Sequence, residues 1–116
     1  MASGPMKMDE SYKKTTFSLN LPSGYSLASG HAFRLGNSVY IGGVLNLPSA
    51  VTVKRVQLTN IIPSEYASPY RIDFAANNNA SDEVMHGILQ GTNLDFYRPD
   101  TSSMQTIGFS VIYPLI

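Results

Sequence analysis

Gly36-Asn37-Ser38-Val39-Tyr40-Ile41-Gly42-Gly43 is the stretch that decides the fold, because it joins turn chemistry to strict alternation. Gly and Asn tolerate the positive φ of a tight hairpin turn, so Ala32-Phe33-Arg34-Leu35 and Val39-Tyr40-Ile41 read as the two strands it connects. Beyond the turn, Val39, Ile41, Gly43, Leu45 and Leu47 share one face, with glycine where another backbone or ring can approach closely. Pro48 is expected to end that strand.

The same period of two recurs on both sides, and long helical periodicity does not. Phe17, Leu19 and Leu21 alternate with Ser18 and Asn20 before the turn Pro22-Ser23-Gly24, which predicts an earlier strand. Val51 and Val53, then Val56 and Leu58, change phase at Lys54-Arg55, as a β-bulge or a strand buried on both faces would require. Tyr70, Ile72 and Phe74 alternate against Arg71 and Asp73, and Asn77 to Asp82 is a loop by composition. Val84 to Gln90, the turn Gly91-Thr92-Asn93 and Leu94 to Tyr97 form the next hairpin, followed by a closing strand with Ile107, Phe109, Val111 and Tyr113. A helix capped by Ser81 competes over Ser81–Gln90, but Gly87 costs it roughly 1 kcal/mol relative to Ala, which favours the strand. About eight short antiparallel strands predict an all-β single domain, a β-sandwich or jelly roll or a short barrel, over residues 15–116. Residues 1–14 are expected to be a flexible lead or cloning residue.

Composition narrows the function. The 116 residues carry eight basic and eight acidic side chains, 14% of the chain, and five of them (Lys7, Asp9, Glu10, Lys13, Lys14) lie in the lead. The body is therefore nearly uncharged and must be covered by Ser, Thr, Asn, Gly and backbone, a surface suited to neutral partners. With no basic cluster beyond Lys54-Arg55, the footprint for nucleic acid is missing. There is no cysteine, so disulfides and thiolate metal sites are excluded. No apolar run approaches the ~20 residues that cross a bilayer, and no membrane insertion is expected. His31 and His86 lack ligand spacing, so no metal or cofactor is expected. The oxygen-rich Asn77–Glu83 loop could hold Ca²⁺ only loosely, because it lacks an ordered D-x-D-x-D pattern.

Catalysis has no motif here. Glu65, Asp73, Asp82, Glu83, Asp95 and Asp100 are scattered, and no G-x-S-x-G elbow is present. What the chain does supply is aromatic and hydrogen-bonding side chains together between Asn77 and Asp100. Sugars stack their C–H faces on rings while short polar groups bind the hydroxyls. The candidate saccharide-binding residues are Asn77, Asn79, Asp82, His86, Asp95, Tyr97, Arg98 and Asp100. Phe96 shares its phase with Leu94 and reads as core, whereas Tyr97 on the opposite face is the stacking candidate. His86, in phase with Val84 and Ile88, reads either as a ligand contact or as a buried, hydrogen-bonded histidine.

In the order of its hairpins, from Phe17 to Pro114, the chain resembles the carbohydrate-binding head domain of bacteriophage tail receptor-binding proteins, especially those of phages of Gram-positive bacteria. The resemblance implies a trimer that holds host cell-wall saccharide at its outer end, through the penultimate hairpin and neighbouring loops, on the virion tail tip or baseplate among other tail proteins. Met85-His86-Gly87-Ile88 falls where lactococcal-type heads place a histidine followed by an acid, with Ile88 in the acid's position. Asp95 to Pro99 falls on a motif with a tryptophan and a Gly-Pro, where Phe96 and Arg98 stand instead. The apolar end, Val111 to Ile116, lacks the charges that protect a sheet edge and is expected to be buried in a symmetric oligomer. The rival readings are a structural baseplate module that meets another virion protein, and a trimeric jelly roll like those of tumour necrosis factor and C1q.

Overall fold

The computed structural model describes residues 13–116, so most of the expected lead lies outside it, while Lys14 opens the first strand. Eight strands follow: β1 (Lys14–Thr16), β2 (Ser26–Leu35), β3 (Ser38–Val51), β4 (Arg55–Leu58), β5 (Ser68–Asn78), β6 (Val84–Gly91), β7 (Asn93–Tyr97) and β8 (Met104–Pro114). They make one curled antiparallel sheet in the order β1-β2-β3-β8-β5-β6-β7-β4, an all-β half-barrel. A single 3₁₀ turn, Ser64–Tyr66, interrupts the β structure of the described residues.

The hairpin that opens the sequence argument forms as its residues dictate. Leu35 pairs with Ser38 across Gly36-Asn37, and Gly36 takes φ 62°, the positive value that Gly supplies at the first position of such a turn. Gly43 holds φ 134°, and a Cβ there would sit 2.7 Å from Gly30 Cα, so the bulge between Ala28 and His31 of β2 needs glycine on β3. Val39, Ile41, Leu45 and Leu47 point inward and are buried.

The two halves of the curled sheet join where β8 pairs with β5 over Ala76↔Phe109, Asn77↔Gly108 and Asn78↔Ile107. Inward residues of both halves then meet in one core that includes Ile41, Leu45, Phe109, Val111, Leu89, Leu94 and Phe96. Phe96 lies edge-on to Phe109 with ring centroids 5.5 Å apart. Tyr113 is buried in that core and its hydroxyl donates to the Tyr66 carbonyl at 2.6 Å, while burial pushes its ionisation well above the ordinary tyrosine value.

Four expectations are corrected. Phe17–Leu21 is not a strand. Phe17 N donates to Ala32 O (3.0 Å) and Asn20 N to Ile61 O (2.6 Å), so this segment runs from β2 at one end of the sheet order to the chain beyond β4 at the other. Its alternating Phe17, Leu19 and Leu21 cover the core, and Phe17 stacks on Tyr66 at 4.1 Å. Pro48 does not end β3, because it sits in the register shift between Asn46 and Val51, where no ladder N–H is needed. The phase change at Lys54-Arg55 is neither a bulge nor a doubly buried strand but the step from β3 to β4, which lie far apart in the sheet order. Finally, the apolar C-terminal strand is not an edge of the sheet order. β8 lies between β3 and β5, and Val111 and Tyr113 are spent on the protein's own core, which leaves Ile112 and Ile116 exposed.

Between residues 81 and 90 the strand forms rather than the helix. Gly87 is required there because a Cβ would enter the ring of Phe74 on the paired strand.

Candidate functional site

Strand alternation builds a polar outer face on β5, β6, β7 and β4. Ile72, Phe74 and Ala76 face inward from β5 and leave Asp73, Ala75 and Asn77 outside. On β6 the buried phase is Met85, Gly87 and Leu89, so Val84 and His86 face solvent. His86 is therefore exposed, which overturns the reading of a buried histidine: the core lies on the phase of Met85 and Leu89, not on that of Val84 and Ile88. On β7 Phe96 is fully buried and Tyr97 is 37% exposed, as the alternation predicted.

Register brings these side chains into two rows across four strands. Ala75, His86, Tyr97 and Arg55 form one, and Asp73, Ile88, Asp95 and Gln57 form the next. The Tyr97 ring lies between His86, at a centroid distance of 6.4 Å, and the Arg55 guanidinium, 5.0 Å over its face. Arg55 also donates to Asp95 Oδ2 at 2.9 Å. Arg71 grips Asp73 with both fork nitrogens, at 2.9 and 3.2 Å, and His86 Nε2 lies 2.7 Å from Asp73 Oδ2. A carboxylate only accepts, so His86 donates through Nε2. Arg71, with His86 second, holds the Asp73 carboxyl below the ordinary aspartate value. Beside His86 a shallow, nearly flat depression is lined by Asp73, Phe74, Ala75 and Val84.

The candidates from sequence thus separate into two groups. His86, Asp95 and Tyr97 lie on this face, and Asn77 is next to it, paired with Val84. Asn79, Asp82, Arg98 and Asp100 cluster instead with the loops that end β5 and β7. There Arg98 leaves the candidate set, because its side chain is 0% exposed. It donates to Glu83 Oε1 (2.8 Å) and Oε2 (3.1 Å), Val53 O (3.2 Å) and Ser102 O (2.7 Å), tying three loops together. Arg98, followed by Asn78, holds Glu83 below the ordinary glutamate value. Asp100 is lowered too, by the Ser102 hydroxyl and then the Thr101 and Ser102 N–H groups, and serves its own turn. No cluster of three or more His, Cys, Asp or Glu that could hold a metal occurs among the described residues.

Sequence reasoning missed Asp73, Arg71 and Arg55 as members of the face. The alternation of Arg71 and Asp73 against Ile72 and Phe74 was visible, but nothing local reveals that β5 and β4 flank the β6–β7 hairpin.

The fold and this face define an all-β domain with a polar, aromatic-bearing surface on one half of a curled sheet. Its backbone is similar to the head domain of lactococcal phage bIL170, described in connection with a common fold for lactococcal phage receptor-binding domains, with a TM-score of 0.67 and 18% sequence identity. The match covers 90% of this chain and 100% of that one, so the chain has the fold of a phage head domain along nearly its whole length. No family model and no curated protein matches it. Among the described residues no helix is long and apolar enough to cross a membrane.

Proposed function

We propose that this chain is the receptor-binding head domain of a phage tail protein and that it holds host cell-surface saccharide, without catalysis, on the outer face of β5, β6, β7 and β4. The observation that carries the reading is the solvent-facing row His86–Tyr97–Arg55, with Asp73 joined to His86, in a fold similar to that of the bIL170 head domain. Tyr97 offers a ring for a sugar's C–H face, and Asp73, His86 and Arg55 offer acceptors and donors for hydroxyls, with Asp95 holding the Arg55 guanidinium in place. The resemblance implies an acid two residues after the histidine, where Ile88 stands. Asp73, paired with Ile88 across the strands, brings a carboxylate to His86 from the neighbouring strand. With Asp73 held ionised by Arg71 and His86, this carboxylate is available as an acceptor for sugar hydroxyls.

The opposite half of the sheet supports an oligomer, which the resemblance makes a homotrimer. Phe33 and Tyr40, stacked at 4.9 Å, and Ile112, 58% exposed, form an outward row on β2, β3 and β8. Such a row suits a subunit seam. Weak binding at each copy would then be multiplied by avidity on the tail. The test is binding to intact Gram-positive cells and to their extracted polysaccharide, beside Tyr97→Ala and His86→Ala. Saturable binding that the soluble polymer competes away, lost in both folded variants, supports the adhesin. Folded protein that binds neither favours a structural module meeting another virion protein through the Phe33–Tyr40–Ile112 row. A stable monomer in light scattering removes the trimer.

A further inference from the structure

Resting on the adhesin reading, we infer that the outer-face site selects an uncharged saccharide unit, turned so that its least polar edge lies over Ala75 and Val84. Charge closure is the first observation. The two guanidiniums on the face each hold a carboxylate of the same face, Arg55 with Asp95 at 2.9 Å and Arg71 with Asp73 at 2.9 Å. An anionic group such as a phosphodiester would meet the exposed Asp73 carboxylate as it approached, and its attraction to either arginine is already largely cancelled by a carboxylate within 3 Å of the charge. A hydroxyl suffers no such cancellation. It can donate to the remaining lone pairs of Asp73 and accept from guanidinium N–H groups that the pairs leave free.

The second observation is the flank. Val84 is 63% exposed, among the most exposed large apolar side chains described, and it lies two residues from His86 along β6. With Ala75 it lines the shallow depression beside His86 and Asp73. The Tyr97 platform, the Asp73–His86 pair and the Ala75–Val84 shelf are thus arranged side by side, which matches a ring that presents hydroxyls on one side and a C–H or methyl edge on the other.

The test uses the intact chain and one cell-wall polysaccharide in two forms: as extracted with its phosphodiesters, and as neutral oligosaccharides released by hydrofluoric acid. Poly(glycerol phosphate) is the third probe, and each is titrated at low and high sodium chloride. The expected result is that neutral oligosaccharides bind with a Kd that salt changes by less than about threefold. Poly(glycerol phosphate) should not compete, and Val84→Asp should weaken neutral binding by at least about fivefold while the fold is kept. Binding confined to phosphorylated forms and weakened by salt, or neutral binding indifferent to Val84→Asp, overturns the inference and leaves the adhesin reading standing. Failure of the folded protein to bind any form, or the cells, removes the adhesin reading and this inference with it.

Discussion

Arg98 and Arg55 both pair with a carboxylate at less than 3 Å, yet they belong to different kinds of structure. Arg98 and Glu83 are 0% and 6% exposed, and each guanidinium nitrogen donates, together to two carboxylate oxygens and two backbone carbonyls. Arg55 is 47% exposed and shares itself between Asp95 and the face of Tyr97. Taking a charge out of water is affordable only where every polar atom finds a partner, so the buried pair is a staple for three loops. The Arg55 guanidinium stays in solvent, where its ion pair is screened and gains little stability. Asp95 keeps a trace of the conflict, since no protein donor reaches its buried Oδ1.

Breaking the buried member should have the largest effect. Arg98→Ala strands Glu83 and should cost about 3–5 kcal/mol in urea denaturation, whereas Arg98→Met with Glu83→Leu should recover most of it. The same pair adds an acid limb. Glu83 is held below the ordinary value of 4.5, so its contribution is complete above that pH and is lost as pH falls through the lower folded value. Glu83→Gln, measured by thermal melts across that range, should lack this component.

Gly87→Ala comes next, since its methyl group would enter the Phe74 ring and force the β5–β6 pair apart, at about 1–3 kcal/mol by the same denaturation assay. On the exposed side the effect moves from stability to binding. Tyr97→Ala should reduce cell or polysaccharide binding at least about tenfold while leaving the unfolding midpoint within about 0.5 kcal/mol of the parent. Asp73→Asn should weaken binding about fivefold, because His86 is left with a neutral amide oxygen, a weaker acceptor than the carboxylate, with an unchanged melting curve. A variant of Arg55 or Tyr97 that unfolds the protein would erase the distinction between the two regions.

Much of this was readable from residue order. The face Val39, Ile41, Gly43, Leu45 and Leu47, the Gly36-Asn37 turn and the split between Phe96 and Tyr97 all follow from a period of two and the special backbone of glycine. His86 shows the limit. Its strand is apolar on both sides, with Val84 and Ile88 on one and Met85 and Leu89 on the other, so alternation alone could not say which faced the core. The choice fell to Gly87, whose missing side chain makes room for Phe74.

The chain's local pattern was sufficient for strands, turns and an uncharged, cysteine-free β domain, because backbone preference and side-chain alternation act over a few residues. Strand order is a different matter. It depends on which faces bury best against one another over long sequence separations, and it placed β8 in the interior, carried β4 to the far end beside β7, and set Asp73 against His86. That packing also divided the arginines, since burial and hydrogen bonds from every nitrogen made Arg98 a staple and exposure left Arg55 on the polar outer face.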